Sequence, residues 1–233
     1  MQTQIDEKSL KNLESTINTI KNEKLIISKP YIILKRFLDI VLGIVGLVGM
    51  IPVTICVVIG KIITKDNGPI FYKHNRIGKN GQNFKLYKYR TMVVDADKIL
   101  DKYLEENPEA KKEFQANFKL SNDPRITKFG RFLRKTSIDE IPQFINVIKG
   151  DMSIIGPRPI VEKEIGYFGD SMKIVHNVKP GITGYWAANG RSNTTYEERV
   201  EMETYYAQNY SLWLDVKIFF ATIIKVIKKE GAK

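Results

Sequence analysis

The residues best suited to chemistry are two adjacent carboxylates, Asp139 and Glu140, in the segment SIDEIPQ. Carboxylates at a helix N-terminus stay ionised, because the positive end of the helix favours anions. An ionised pair can bind Mg²⁺, and an aspartate can attack phosphorus to give an aspartyl-phosphate. A structural alternative stands beside this one. Ser137 followed three residues later by Glu140 is a capping-box pattern, which predicts a helix that begins near Ile138.

Basic residues flank the carboxylates on both sides. Lys128, Arg131 and Arg134 recur every three residues, so a helix there would carry them along one face. Arg158 stands between two prolines in IIGPRP, displayed rigidly after a turn, and a guanidinium suits bidentate binding of phosphate. The sequence has no Gly-rich loop ending in Gly-Lys-Ser/Thr, no strand-borne GxGxxG and no nucleophile elbow. Kinase, P-loop and hydrolase functions therefore lose support.

Positive charge is concentrated in two parts of the chain. The 37 Lys and Arg against 26 Asp and Glu give a net charge of +11. Such an excess favours nucleic acid, anionic lipid headgroups or phosphate-bearing substrates. Residues 61–91 hold eight basic side chains against one acid, and residues 124–136 hold five and no acid. A solvated surface would mix the signs more evenly, so the pattern indicates two places where phosphate is bound.

Between the apolar run and the carboxylates, the sequence predicts a β-hairpin and then two helices. Asn80-Gly81 is a strong hairpin turn, and residues 84–90 alternate apolar with cationic side chains, among them Lys88 and Arg90. Such interleaving also occurs in single-strand nucleic-acid binders, whereas an amphipathic strand with solvated lysines is the plainer alternative. Residues 95–120 have helical spacing interrupted by Pro108, which predicts helix, turn, helix.

Residues 40–60 form an uncharged run of 21 residues that is long enough to cross a bilayer core of roughly 30 Å. Basic residues flank both ends, so the positive-inside rule does not place the ends on opposite sides. Pro52 removes a backbone hydrogen bond in the middle of the run and kinks or breaks a helix there. These features favour a re-entrant helix hairpin. A spanning helix and a buried core helix are the alternatives.

The two ends of the chain predict amphipathic helices. Residues 1–30 are polar, with apolar residues at helical intervals, and do not resemble a secretory signal. Residues 211–231 mix aromatic residues with lysines, which fits a helix in the membrane interface or a core-packing terminal helix. The single cysteine, Cys56, excludes a disulfide framework and indicates a reducing compartment. We therefore divide the chain into an N-terminal segment (1–30), a membrane segment (31–63) and a catalytic domain (64–233).

Five segments, in this order, resemble the bacterial sugar transferase family of monotopic polyprenyl-phosphate phosphoglycosyl transferases. They are KRFLDI before the Pro-broken run, GPIFYKHNRIGKNGQNFKLYKYRTM, DPRITKFGRFLRKTSIDEIPQFINVIKGDMSIIGPRP, VKPGITGYWAANGRSN and YYAQNYSLWLD. They cover about residues 35–220. The segment before DPRIT and the stretch GRSNTTYEERV are similar to the galactose-phosphotransferase branch. His74, where many relatives have glutamine, and Ile51, where many have serine before the proline, depart from the pattern.

The resemblance implies a two-step exchange with a covalent intermediate. Asp139 matches the nucleophile that attacks a UDP-sugar and releases UMP, and Glu140 matches its partner acid, with Mg²⁺ held between the two. Polyprenyl phosphate would then take the sugar phosphate. Arg134 and Arg158 match phosphate-binding positions, and Lys88 and Arg90 fall in the basic block beside the membrane segment. More weakly, Arg191, Pro180 and Gly181 are expected near the nucleotide sugar.

The fold expected from these features is a mixed, mostly helical α+β architecture. It comprises a re-entrant membrane helix hairpin and a small cytoplasmic catalytic domain with a short β-hairpin. The resemblance implies a monotopic enzyme on the cytoplasmic face of the inner membrane, acting on galactose or, as the alternative, glucose or an N-acetylated sugar. Its expected partners are a UDP-sugar, undecaprenyl phosphate and membrane lipid; a homodimer is also allowed, and nucleic acid is not expected.

Overall fold

The computed structural model describes residues 28–117, 120–190 and 194–228. The N-terminal amphipathic helix predicted for residues 1–30 lies almost entirely outside them. The described chain is mostly helical, with two small two-stranded sheets, which agrees with the predicted mixed α+β class. Its main elements are α1 (Lys29–Ile63), β1 (Phe71–Ile77), β2 (Asn83–Tyr89), α2 (Ala96–Glu106), α3 (Pro108–Asn117), α4 (Lys128–Lys135), α5 (Gln143–Lys149), β3 (Ser153–Ile155), α6 (Ile165–Phe168), α7 (Ser171–Val175), β4 (Gly181–Thr183), α8 (Tyr185–Asn189), α9 (Tyr196–Asn209) and α10 (Leu212–Lys228).

Helix α1 contains the whole predicted membrane segment in one continuous element. It starts with a proline in its first turn, where the missing N–H is tolerated, and runs for 35 residues, about 52 Å at 1.5 Å per residue. Pro52 lies inside this helix. The chain does not leave helical geometry there, so the hairpin predicted from Pro52 is not confirmed. Among the described residues, α1 is the one helix long and apolar enough to cross a membrane.

One face of α1 contacts the rest of the protein from one end of the helix to the other. A Cβ added at Gly46 would lie 2.4 Å from the Phe144 ring, and one at Gly60 would lie 2.3 Å from the Phe129 ring. The missing side chains therefore let these two aromatic rings pack on the helix backbone. The opposite face is apolar and exposed along its whole length; it includes Ile33, Phe37, Ile44, Val45, Val48, Ile51, Ile55, Ile59 and Ile62.

Polar contacts fasten the N-terminal part of α1 to elements far away in the sequence. The Asp39 carboxylate is buried and accepts hydrogen bonds from the Ser153 hydroxyl at 2.9 Å and the Ile154 N–H at 2.8 Å. The Lys35 ammonium lies 2.5 Å from the Asp215 carboxylate in α10. Asp215 also accepts hydrogen bonds from the hydroxyls of Tyr31 and Tyr206. Burying a carboxylate costs free energy unless it is paired, and the hydrogen bonds and the ion pair of Asp39 and Asp215 offset this cost.

The predicted β-hairpin and helix pair are confirmed. Strands β1 and β2 pair antiparallel, with Phe71 opposite Tyr89 and Ile77 opposite Asn83. The turn between them has Asn80 at φ 57° and Gly81 at φ 74°, and these two residue types reach positive φ more easily than others. Beyond the hairpin, α2 ends at Glu106 and α3 begins at Pro108, which gives the predicted interruption.

The core lies between β3, β4 and the helices around them. Strands β3 and β4 pair in parallel, with Ser153 opposite Gly181. Met152 and Val147 are fully buried in the same apolar cluster. Helix α10 joins the cluster through Ile218, which is buried, whereas its aromatic and aliphatic side chains Trp213, Phe220 and Ile224 are exposed. The C-terminal helix thus combines both predicted features, a core-packing side and an exposed apolar side.

Candidate active site

The turn that carries Asp139 connects α4 with α5 and has unusual backbone geometry. Ser137 adopts φ 57°, which costs a non-glycine residue strain, and residues 138–140 form one turn of 3₁₀-helix. The predicted helical start at Ile138 is confirmed for this 3₁₀ turn, but the Ser137 side chain makes no capping hydrogen bond, so the predicted capping box is wrong. The left-handed conformation at Ser137 redirects the chain into this single 3₁₀ turn, and the α-helix α5 begins only at Gln143. The carboxylates are therefore displayed on a tight turn.

Lys88 of strand β2 joins the two carboxylates. Its ammonium lies 2.7 Å from Glu140 Oε1 and 3.8 Å from Asp139 Oδ2. All three side chains are largely shielded from solvent. A charge pair in such surroundings is screened less than one at the surface, and the positive charge of Lys88 accordingly acts to lower the pKa of Asp139. The hairpin therefore positions one cation directly at the predicted nucleophile.

Two predicted arginines approach the same carboxylates from other elements. The Arg158 guanidinium lies 3.7 Å from Glu140 Oε1, and its side chain remains about one-third exposed. Arg134 comes from α4, and its Nε donates to the Thr91 hydroxyl at 2.9 Å, which fixes the direction of the guanidinium. The positive charge of Arg134 lowers the pKa of Asp139. The two arginines predicted to hold phosphate thus both act on the carboxylate pair.

The pKa of Asp139 reflects two opposing influences. Burial raises it above the ordinary value of an aspartate, and the neighbouring negative charge of Glu140 raises it further. The positive charges of Lys88, Arg134 and Arg158 lower it, with Lys88 the largest of the three. Desolvation makes a carboxylate a stronger nucleophile only if it is still ionised. The cations around Asp139 favour the ionised form and offset part of the effect of burial, so the pKa of Asp139 remains raised above its ordinary value.

A shallow cleft, open to solvent, lies beside Glu140. Its cationic walls include Lys88, Arg158 and Arg76, a residue of β1 that the sequence analysis did not single out. Arg76 Nη1 donates to the Pro159 carbonyl at 3.0 Å, and burial followed by the charge of Arg158 lowers the pKa of Arg76 to about 10. It therefore carries its charge at neutral pH. Three cations around one small cleft suit a diphosphate.

The remaining predicted site residues fall into three groups. Gly181 lines the cleft, and the carbonyl of Pro180 accepts a hydrogen bond from the Ser153 N–H, so VKPGITG forms part of the wall. Arg90 is buried away from the carboxylates, where its guanidinium contacts Asp66 and the Pro69 carbonyl. Arg90 therefore organises the loop after α1. Arg191 lies outside the described residues.

Several residues of the site gave little signal in the sequence. In the hairpin, Arg76 lies opposite Phe84 and Tyr72 lies opposite Lys88, so Arg76 and Lys88 share one face of the sheet, and the hairpin register could have drawn attention to Arg76. Gln143 lines the cleft as the first residue of α5. Glu203 of α9 is fully buried near Arg158, whose backbone N–H donates to Glu203 Oε1 at 3.0 Å. Nothing in the sequence distinguishes Glu203 from the other acids of its helix.

The donor chemistry of the carboxylate pair fits Mg²⁺. Within residues 28–117, 120–190 and 194–228, no group of three or more His, Cys, Asp or Glu side chains could form a protein cage for a metal ion. Mg²⁺ does not need one, since it is commonly bound by one or two carboxylates together with substrate phosphates. Asp139 and Glu140 offer such carboxylates next to a cationic cleft. The residues present therefore suit an ion that is shared with a phosphate ligand.

A long apolar helix attached along a small domain, with a carboxylate pair beside a cationic cleft that Glu140 lines, defines a class of membrane-associated proteins that act on phosphate. The chain belongs to the bacterial sugar transferase family, whose sequence model matches residues 30–229. This confirms the family resemblance of the ordered motifs.

The chain is 44% identical over 199 residues to the undecaprenyl-phosphate galactose phosphotransferase of Salmonella typhimurium, covering 85% of this chain and 41% of that protein. It is 42% identical over 198 residues to the exopolysaccharide production protein ExoY of Sinorhizobium fredii, covering 85% of this chain and 87% of that protein. It is also 37% identical over 209 residues to the UDP-glucose:undecaprenyl-phosphate glucose-1-phosphate transferase of Escherichia coli, covering 86% of this chain and 41% of that protein. The chain thus spans about two fifths of the length of several relatives. Similarity to a galactose phosphotransferase agrees with the predicted branch.

Proposed function

We propose that the protein transfers a hexose-1-phosphate from a UDP-sugar to undecaprenyl phosphate and so starts the synthesis of a polysaccharide repeat unit. The observation that carries this proposal is the contact of Lys88 with both Asp139 and Glu140, at the edge of a cleft that also contains Arg76 and Arg158. A buried aspartate surrounded by cations suits attack on an anionic phosphorus centre. The named relatives act on a sugar phosphate and an undecaprenyl carrier.

In the first step, an Asp139 carboxylate oxygen attacks the β-phosphorus of the UDP-sugar. The bond from that phosphorus to the bridging oxygen breaks, and UMP leaves with the oxygen and its electron pair. The product on the protein is an aspartyl-phosphosugar. Arg158 and Arg76 lie where they can offset the charge of the two phosphates, and preorganised cations of this kind lower the barrier to phosphoryl transfer.

In the second step, a phosphate oxygen of undecaprenyl phosphate attacks the same phosphorus. The bond to Asp139 breaks, and the carboxylate is regenerated while undecaprenyl-diphosphate-sugar leaves. Lys88 favours this carboxylate as a leaving group because it lies 3.8 Å from Asp139 Oδ2. One nucleophile thus serves two substrates in turn, which divides a difficult exchange between two anions into two substitutions.

Asp139 and Glu140 are the residues that would hold Mg²⁺. When bound, the ion would neutralise phosphate charge and align the transferring group. Glu140 contacts Lys88 and Arg158, the cations that we expect to bind the substrate phosphates. An ion held by Glu140 would therefore lie close to these phosphates. We assign the attack to Asp139, with Glu140 as its partner acid in holding Mg²⁺.

We place the protein on the cytoplasmic face of the inner membrane, as the family resemblance implies, and the arrangement of α1 supports a monotopic position there. The catalytic part contacts α1 from Lys35 to Lys61. A helix crossing the bilayer along its axis would carry this polar attachment into the hydrocarbon core, which is costly. With α1 lying at the interface, its exposed apolar face meets lipid acyl chains, and Trp213 and Phe220 of α10 are also exposed. A lipid phosphate would then reach the cleft from the headgroup layer.

Galactose is the hexose we propose, since one relative named above is a galactose phosphotransferase at 44% identity. Glucose is the second candidate, because a glucose-1-phosphate transferase is 37% identical. Two other classes of function compete with the enzyme. Binding of nucleic acid would account for the charge of +11 but not for the exposed apolar face of α1. An inactive membrane scaffold would account for that face but not for the carboxylate site.

The test is UMP release by the protein in nanodiscs with Mg²⁺, undecaprenyl phosphate and a panel of UDP-sugars. We expect release with one UDP-hexose, formation of the lipid-linked sugar, and neither with Asp139→Asn. Thermal unfolding of both proteins shows whether the variant is folded. If well-folded protein releases no UMP with any donor, the transferase assignment is rejected and the inactive scaffold becomes the favoured function. If the same protein instead binds nucleic acid with a steep dependence on salt, the nucleic-acid binder is favoured.

A further inference from the structure

A second shallow cleft adjoins the cationic one. The two clefts share Arg158, Gly181 and Ile182, so Arg158 stands on the boundary between them. On the far side of Arg158, the walls are Trp186 of α8 and Glu203 of α9, together with the backbone of the loops that carry Gly156 and Gly184. A group attached to a phosphate held by Arg158 would therefore extend into this second cleft.

Glu203 is a buried carboxylate with only half of its hydrogen-bonding capacity used. Its Oε1 accepts the Arg158 backbone N–H at 3.0 Å, whereas its Oε2 is buried and has no hydrogen-bond partner among the described residues. Burial raises the pKa of Glu203 to about 7, against the opposing charges of Arg199 and Arg158. A buried carboxylate oxygen without a donor costs free energy, so a donor from a ligand or a water is expected there.

A neighbouring cation also has unused hydrogen-bonding groups. Arg199 lies over the Trp186 ring at 5.0 Å, and its Nε and Nη2 are buried without a partner in the described parts of the chain. The surroundings of Glu203 thus contain both an unpaired acceptor and unpaired donors beside an aromatic wall. A hydroxyl group can donate to one and accept from the other, whereas a hydrocarbon chain can do neither.

We propose that Glu203 is a specificity-determining residue whose Oε2 accepts a hydrogen bond from a hydroxyl of the donor's hexose, bound at the second cleft beside the Arg158 guanidinium, which lies over the Trp186 ring at 5.8 Å. This inference rests on the proposed function. A polyprenyl chain supplies no donor for the carboxylate.

The variant that isolates this hydrogen bond is Glu203→Gln. Glutamine keeps the shape of the side chain and an oxygen for the Arg158 N–H, but it places an NH₂ donor where Oε2 accepts. Glu201→Gln, an exposed position on the same helix, is the matched control. The two measurements are kcat/KM for UDP-galactose and UDP-glucose, and the inhibition constant of UDP, which contains no hexose.

We expect Glu203→Gln to lower kcat/KM for the preferred UDP-hexose by about 10- to 100-fold, the range for a hydrogen bond to a charged group. The preference between UDP-galactose and UDP-glucose should change with it, while inhibition by UDP and the Glu201→Gln control remain as in the wild type. An equal loss in UDP inhibition would overturn the proposal, because Glu203 would then act by positioning Arg158. Unchanged kinetics would overturn it as well, since Oε2 would then be satisfied by water.

Binding measured without turnover separates this inference from the proposed function. Calorimetry on Asp139→Asn protein, with and without Glu203→Gln, compares the affinity for UDP-galactose and UDP-glucose with that for UDP. If the wild type releases UMP but Glu203→Gln changes neither hexose preference nor hexose affinity, the subsite fails while the transferase stands. If the wild type releases no UMP yet Glu203→Gln selectively weakens UDP-hexose binding, the subsite stands and the reaction must be reassigned.

Discussion

Removing the Lys88 charge should make the reaction more sensitive to acid. Lys88 is the strongest of the cations that lower the pKa of Asp139, and its ammonium lies 3.8 Å from Asp139 Oδ2. Two unit charges at this distance attract by about 4 kcal/mol at an effective dielectric constant of about 20, and by about 1 kcal/mol in water. Both side chains are largely but not fully shielded, so the attraction falls between these values.

The direction with pH follows from which form of Asp139 reacts. The ionised carboxylate is the nucleophile, so activity is present above its pKa and is lost as the pH falls through it. Lys88→Met removes an influence that lowers this pKa, so the loss of activity should occur at a higher pH than in the wild type. At the acid end, the energies above correspond to a further decrease in rate of about fivefold to about a thousandfold.

The assay is the initial rate of UMP release across pH for the wild type, Lys88→Met and Lys88→Arg. The arginine variant keeps the charge, and Lys85→Met removes a lysine from an exposed position of the same strand. We expect the ratio of wild-type to Lys88→Met rates to shrink as the pH rises, with Lys85→Met unchanged. A large loss that is the same at every pH would refute the assignment of Lys88 to the Asp139 charge.

Three further perturbations test how the site is held. Asp39→Ala leaves a buried hydroxyl and a buried N–H without their acceptor, so thermal unfolding should show a loss of about 2 kcal/mol or more, with Asp39→Asn less affected. Gly156→Ala would place a methyl group 2.3 Å from the Lys179 carbonyl oxygen and so displace the loop before Arg158. We expect the rate of UMP release to fall while the variant remains folded in thermal unfolding. Asp215→Ala strands the buried Lys35 charge and should destabilise the protein by about 3–5 kcal/mol in denaturant unfolding.

Elements with a local signature were predictable from the sequence. Asn80-Gly81 fixed the hairpin because both residues reach positive φ, and Pro108 separated α2 from α3 because it fits the first turn of a helix. The charge run 128–134 became the helix α4 with Arg134 turned toward the carboxylates. These features depend on neighbours within a few residues.

Features that depend on distant contacts were not predictable in the same way. Ser137 and Glu140 have the spacing of a capping box, yet the left-handed Ser137 belongs to a turn set by the packing of α4, α5 and β2. Arg90 belongs to the same alternating pattern as Lys88 and lies two residues further along the chain, but its guanidinium pairs with Asp66 in the loop after α1 instead of with the carboxylates of the site. Glu203 accepts a hydrogen bond from the backbone N–H of Arg158, which lies 45 residues away in the sequence, and no local sequence pattern predicts such a contact.

The lengthwise attachment of α1 also has a consequence for how the chain is made. Lys35 and Asp215 are 180 residues apart, so α1 is synthesised long before its α10 partner exists. At about 5–20 residues per second, the delay is roughly 10–40 s. During this time, the helix has neither its buried ion pair nor the core that covers its inner face, and its apolar side is already complete. We expect the nascent helix to bind the membrane first, so that the rest of the protein folds onto a helix that is already at the lipid surface.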